Sequence, residues 1–438
     1  MAYYSRNIDS YLTQWKDSEG HKPLLLRGAR QVGKSSAVRN LSKSFKSYIE
    51  IDLEQRRDLH ELFGNNLNIN DICAQISILF NTHIIDGETL IFIDEIQSCP
   101  RAIASLRYFY EQRPDLHIIA AGSLLEFALA ELQSFGVGRI ESLYLYPFSF
   151  DEFLNAMGHP QLVDFKKNQC SPSNPLPGPI YEKLVALFKE FLIIGGMPEV
   201  VDQWAQTKDY SICLNRQNDL LSSYRDDFAK YKTRISPLVL WTTLRAVAMQ
   251  AGEKFVYSRV SENAESRIIK EALSLLELAG IIHSVTHTSA NGLPLGAEAN
   301  EKYRKFLFMD TGLMFAMLNS DPGKIILEDP SSLVNRGGIA EVAAGLEITK
   351  YSNPRLRSEL YYWVRMAKNA LAEVDYVTVI NHQITPIEVK SGLKGAMQSL
   401  YVFMEQKHLD RGIRTSLENF GTYNQIEIFP LYALSNLI

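Results

Sequence analysis

The chain has 438 residues, 46% of them hydrophobic and 22% charged, with a formal net charge of -5. That composition is ordinary for a globular protein and excludes a fibrous repeat or a disordered chain, while the length accommodates several domains. Mild acidity excludes a global pull toward nucleic acid or an anionic membrane, so any such binding has to come from a local patch.

The first residues, "MAYYSRNIDSYLTQW", hold no long apolar run behind a basic start. No segment reaches the roughly eighteen apolar residues that span a bilayer, so the expectation is a cytoplasmic protein without a membrane partner. Cys73, Cys99, Cys170 and Cys213 stand far apart with no C-x-x-C pair, which suggests neither a zinc site nor a disulfide framework.

From Lys22 to about Phe153, short apolar runs alternate with amphipathic stretches. "PLLLRG", "SYIEIDLE", "TLIFIDE" and "LHIIAAGS" have the character of buried parallel strands, an α/β signature. The segment "NQCSPSNPLPGPI", residues 168 to 180, is dense in Pro, Ser, Asn and Gly and is expected to be a boundary or an interdomain loop. Beyond it, "YEKLVALFKEFLIIGG" and "ESRIIKEALSLLELAG" space apolar residues as amphipathic helices do. "IIHSVTHTSANGLPLG" and "YRKFLFMD" then form two strands around a turn, and with the preceding helix pair they predict a winged helix-turn-helix. Last, "ELYYWVR", "AEVDYVTVI" and "ITPIEVKSG" are strand-like runs behind the helix "GGIAEVAAGLEITK". They predict a separate α/β unit.

Residues 28 to 35, "GARQVGKS", fit G-x-x-x-x-G-K-S/T after an apolar strand and before a helical stretch. Gly28 and Gly33 let the backbone wrap phosphates so that successive N–H groups face the anion. The nucleotide-binding stretch therefore comprises Gly28, Ala29, Arg30, Gln31, Val32, Gly33, Lys34, Ser35 and Ser36. Lys34 is expected to reach the β/γ-phosphates, and the Ser35 hydroxyl to ligate magnesium.

A second carboxylate-bearing strand completes that chemistry. In "LIFIDE" four apolar residues lead to Asp94 and Glu95 at the carboxyl end of a strand, the edge where open α/β sheets bind ligands. Asp94 is expected in the magnesium shell and Glu95 as the base that polarises water. Ser123, ending the next strand, is expected either to sense the γ-phosphate or to cap a helix. Arg139 is expected either as an arginine finger, in cis or from a neighbouring subunit, or as a surface arginine.

Together "KPLLLRGARQVGKS", "LIFIDEIQ", "AAGS" and "GRIESLYLYPFSFDEFL" resemble the prokaryotic AAA-type (archaeal-type) P-loop ATPases with a C-terminal domain of unknown function. The resemblance continues through "IIGGMPEVV" to "IEVKSG". It implies ATP binding, hydrolysis, and a C-terminal part similar to restriction-endonuclease-like folds. The expected organisation is an AAA-like domain (1–155), a linker and helical segment (156–235), a winged-helix-like domain (236–328) and a C-terminal α/β domain (329–438).

In that last part Glu388 and Lys390 share one strand face, Asp375 sits on a neighbouring strand, and Glu341 on the preceding helix is placed to join them. The set resembles the PD-(D/E)xK nuclease pattern, whose carboxylates hold magnesium beside a scissile phosphate. A cross-strand ion pair is the competing reading.

Three functions follow. The first is a magnesium-dependent ATPase acting as a switch or motor. The second is an ATP-gated DNA-binding protein or nuclease, and the third a non-hydrolysing nucleotide-dependent scaffold; a protein partner is a candidate beside ATP and DNA. An arginine finger in trans would require a homo-oligomer.

Overall fold

The computed structural model describes residues 3–64, 67–131, 138–230, 235–261, 265–318, 337–365, 372–390 and 397–438. The chain forms two compact units, Met1–Tyr146 with Asn353–Arg357, and Pro147–Ser352 with Ser358–Ile438.

The first unit is built on five strands: β1 (Leu24–Arg27), β2 (Ser47–Asp52), β3 (Thr89–Asp94), β4 (His117–Ala121) and β5 (Glu141–Tyr144). They lie in the order β2-β3-β4-β1-β5, every pair parallel. β3 and β4 have no exposed apolar side because helices cover both faces of the sheet, and Leu90, Ile91, Phe92 and Ile93 are all 0% exposed. Each such side chain contributes about 1.5–3 kcal/mol relative to leaving it in water. Ile93 lies opposite Ala120, and Ala121 opposite Leu26. The carboxyl ends of β3, β4 and β1 therefore line up along one edge. The segment Asn353–Arg357 returns to this unit, where the Pro354 carbonyl accepts from the Tyr144 N–H at 2.8 Å and Arg355 pairs with Glu141 at 3.1 Å.

The second unit begins with helices Phe150–Ala156, Pro160–Gln169, Gly178–Ile194, Pro198–Thr207 and Tyr210–Asp227. The first of these starts on a capping box, in which Ser149 and Glu152 satisfy each other's backbone N–H groups at 3.3 and 2.7 Å. Helices Pro237–Met249 and Ser266–Leu278 come next, followed by the antiparallel pair β6 (Ile282–Thr288) and β7 (Ala299–Phe308) and helix Thr311–Met317. Helix Gly337–Tyr351 precedes β8 (Leu360–Val364), β9 (Glu373–Ile380) and β10 (Gln383–Val389), and helix Gln398–Lys407 precedes β11 (Gly412–Ser416), β12 (Gly421–Tyr423) and β13 (Ile426–Pro430).

Two expectations about organisation change here. The β6/β7 pair is not a wing at the edge of its own domain: β6 pairs in parallel with β8, giving one eight-stranded sheet, β12-β13-β11-β10-β9-β8-β6-β7. The expected division at 328/329 lies outside the described residues. The segment 168–180 is no boundary either, since Asn419 brackets Leu176 from both sides, at 3.0 and 2.8 Å, within the same unit. Its composition signals irregular backbone, and irregular backbone is equally able to cross the surface of one unit.

A fully buried lysine ties the first helices to the chain end. Lys166 donates from Nζ to Asp151 at 2.5 Å, the Tyr432 carbonyl at 3.0 Å and the Ser435 hydroxyl at 2.8 Å. A buried ammonium is tolerable only when its donors are taken up in this way. Among the described residues, no helix is long and apolar enough to cross a membrane.

Candidate functional site

β1 ends at Arg27, and the helix Lys34–Ser42 starts beyond a loop in which Gly28 and Gly33 take φ of 136° and 98° and Gln31 takes 65°. Successive residues of this kind aim peptide N–H groups at a single anion, and the helix N-terminus adds its dipole. Gly28 is also required sterically, because a Cβ there would lie 2.1 Å from the carbonyl oxygen of Leu145. Ala29, Arg30, Val32 and Ser36 fall on the same stretch.

Lys34 is buried at 8% exposure and donates from Nζ to the carbonyls of Gly28 and Ala29 at 2.9 and 2.7 Å. Burial pulls its ammonium down to about 8, against the attraction of Glu95 and Asp94. A polyphosphate in the loop would favour the charged form that burial disfavours.

The adjoining strand brings two carboxylates. Ser35 Oγ donates to Asp94 Oδ2 at 2.6 Å, so a hydroxyl and a carboxylate converge as two hard oxygen donors. Burial raises the Asp94 carboxyl, a push that the Ser35 hydrogen bond opposes and the neighbouring Glu95 charge reinforces. Glu95 itself sits in the left-handed region at φ 47°, ψ 43°, which turns its side chain out of the strand direction. Its Oε2 accepts from Gln97 Nε2 at 2.5 Å and from the N–H and hydroxyl of Ser123 at 3.1 and 3.0 Å. Burial pushes the Glu95 carboxyl up, yet Gln97, the two Ser123 donors and Lys34 outweigh it and hold it low.

The structure thus brings Lys34, Ser35, Asp94, Glu95 and Ser123 to one sheet edge. Arg139 is not among them. β5 runs parallel to β1 with Glu141 opposite Leu24 and Tyr144 opposite Arg27, so a residue preceding β5 sits at the edge away from the loop. Arg139 is there, exposed, with Nε 2.6 Å from Glu111. Of its sequence readings, the finger in cis is corrected by strand register. Two residues at the loop edge escaped sequence reading: Arg27, held by a bidentate ion pair to Glu126 and lying over the Tyr144 ring, and Gln97.

Of the carboxylates expected in the second unit, Glu341 and Asp375 lie near a buried lysine. Lys305, on β7 and 1% exposed, donates from Nζ to Glu341 Oε1 at 2.7 Å and pairs with Glu373. Asp375 Oδ2 accepts from the Val389 N–H at 2.8 Å, and Lys390 pairs with Glu388 at 2.5 Å. Burial and the Asp375 charge raise the Glu341 carboxyl to about 8 against the pull of Lys305. Burial likewise raises Asp375 and Glu388. Among the described residues, no three His, Cys, Asp or Glu side chains are arranged to hold a metal ion. Beside the residues expected to form a metal site, Glu341, Asp375, Glu388 and Lys390, the structure places an ammonium from a strand far upstream, Lys305, which pairs with Glu341 and Glu373.

Residues 20–154 match the family model of an AAA domain. Residues 185–324 match a domain of unknown function, DUF8612, and residues 336–434 another, DUF4143. The stretch that matches the AAA model lies in and just beyond the first unit and holds its parallel sheet and phosphate loop. Among solved structures, the chain is similar to the Aeropyrum pernix Orc1 protein in complex with DNA at 15% identity, covering 74% of this chain and 94% of that one with a TM-score of 0.30. It is also similar to unliganded Pif1 from Bacteroides sp. at 13% identity, covering 39% and 50% of the two chains with a TM-score of 0.22. Superpositions this low carry no argument about ligand or partner. No curated relative matches the chain.

Proposed function

We propose that the protein is a magnesium-dependent ATPase whose nucleotide state acts as a switch on its second unit. The observation that carries this reading is the 2.6 Å contact between Ser35 and Asp94, beside Glu95 and at the same sheet edge as the loop. On binding, Lys34 exchanges the Gly28 and Ala29 carbonyls for β/γ-phosphate oxygens. Ser35 and Asp94 would hold a magnesium ion, which would supply charge neutralisation to the phosphate oxygens. Glu95 accepts a proton from the water that attacks the γ-phosphorus in line, the bond from that phosphorus to the β–γ bridging oxygen breaks, and ADP and inorganic phosphate leave.

Lys34→Ala tests this directly. Losing a buried, charge-assisted contact is expected to weaken ATP binding on the order of 100-fold, measured by titration with a fluorescent ATP analogue. Unchanged affinity and turnover would sink the assignment.

The cluster around Lys305 is proposed to be a structural ion network rather than a nuclease centre. Plasmid incubated with magnesium or manganese is expected to show no cleavage, or equal cleavage, with the protein and with its Asp375→Ala variant. Cleavage lost only in that variant would restore the nuclease reading.

A further inference from the structure

Glu95 has two carboxylate oxygens, and the structure treats them differently. Three donors converge on Oε2, while among the described residues no hydrogen bond reaches Oε1. Two of those donors belong to Ser123, at the end of β4. The third, Gln97, comes from the short 3-10 turn Ile96–Ser98, which follows the left-handed Glu95 immediately and folds the amide back over it.

The room that Gln97 occupies is made by a missing side chain. A Cβ on Gly122 would lie 1.8 Å from Gln97 Oε1 and 3.5 Å from the Leu125 Cβ. Gly122 has no positive φ that would otherwise call for glycine. Its requirement is therefore steric, and the object it admits is the amide that touches Glu95. The amide orientation is also settled by chemistry: turned over, its oxygen would face the Glu95 carboxylate, and two acceptors repel. In the orientation present, Gln97 Oε1 is buried and has no partner among the described residues. A buried amide oxygen without a donor is tolerated where the other end of the amide is committed to something specific.

We infer that Gln97 is a positioning residue for Glu95, seated by Gly122, which with Ser123 fixes Oε2 and leaves Oε1 as the oxygen that takes the proton from water. The inference rests on the ATPase reading and adds to it the device that aims the base. Gln97 touches neither nucleotide nor water in this account and acts through Glu95 alone.

Two variants of the full chain test it through different side chains. Gln97→Leu keeps the approximate volume and removes the donor, whereas Gly122→Ala keeps the donor and displaces it. Both are expected to bind a fluorescent ATP analogue within about twofold of the unaltered protein and to lower kcat about tenfold, the effect of one lost hydrogen bond to a charged group. Because Gln97 acts through the base alone, KM for ATP is expected to stay within about twofold in both while kcat falls. Gln97→Glu is expected to recover turnover as the pH falls, where the new carboxyl carries a proton to donate. A destabilised fold would not produce that pH-selective recovery.

Unaltered kcat in Gln97→Leu and Gly122→Ala, with binding still lost in Lys34→Ala, would overturn the inference and leave the ATPase reading standing. Absence of turnover in the unaltered protein would overturn both.

Discussion

Replacing Glu95 with glutamine is expected to lower ATP turnover by about 10²- to 10⁴-fold while ATP binding stays within a few-fold. The substitution preserves shape and leaves an oxygen to accept from Ser123 and Gln97, now at 3.0 Å and 2.5 Å, so the local geometry has little reason to change. What it removes is the ability to take a proton. Glu95 is suited to that task because its donors and Lys34 keep it ionised despite burial. Single-turnover hydrolysis, measured beside equilibrium binding, checks the expectation. A variant that turns over ATP within about threefold of the unaltered protein would remove Glu95 from the base role, and a common loss of binding and turnover would point to damage of the loop instead.

The second large effect is expected far from the phosphate loop. Lys305→Met should destabilise the second unit by about 3–5 kcal/mol near pH 8, because it strands the buried Glu341 carboxylate without its cation. Glu341 and Lys305 are 7% and 1% exposed, so water cannot take over the lost interaction. Backbone hydrogen exchange in β7 and β9, followed in the full chain, reads the change locally and avoids treating two units as one transition. Exchange rates indistinguishable from the unaltered protein would show the ion network to be dispensable.

The same cluster sets a pH dependence. Glu341 is raised from 4.5 to about 8 in the folded chain, so the folded state binds the proton more tightly than the unfolded one. Stability from this group is fully present below about 4.5 and declines as pH rises toward 8. The raised Asp375 and Glu388 carboxyls act with the same sign. Protection of β9 and β10 is therefore expected to be greater at pH 5 than at pH 8, and the cost of Lys305→Met smaller at pH 5, where the carboxyls neutralise themselves. The reverse order would contradict the arrangement.

Much of the first unit was legible in the sequence because its determinants are local. A phosphate loop depends on the conformations of consecutive residues, and Gly28, Gly33, Lys34 and Ser35 are neighbours in the chain. Strands buried on both faces announce themselves as unbroken apolar runs, and a carboxylate ending such a run lies at the ligand edge of a parallel sheet. "LIFIDE" therefore placed Asp94 and Glu95 beside the loop without any knowledge of the fold.

Arg139 shows where local reasoning stops. Two glycines, an arginine and a strand are compatible with either edge of the sheet, and only the pairing of Glu141 with Leu24 decides which. Gln97 was visible in "DEIQ" as a polar residue, but its role depends on a left-handed Glu95 and on an empty space at Gly122, neither of which is a property of the motif.

The second unit carries the same lesson at longer range. Glu341, Asp375, Glu388 and Lys390 were recognisable as a cluster because strand alternation puts side chains on known faces. Lys305 was not, since it comes from β7, a strand expected to belong to a different domain until β6 was found to pair with β8. The sequence by itself determined the phosphate loop, its opposing carboxylates and the parallel sheet between them, because each is encoded in contiguous residues. Only the tertiary structure decided which cation the distant carboxylates share and which way the catalytic candidate faces, because both depend on strand register and on side chains meeting across sequence-distant elements.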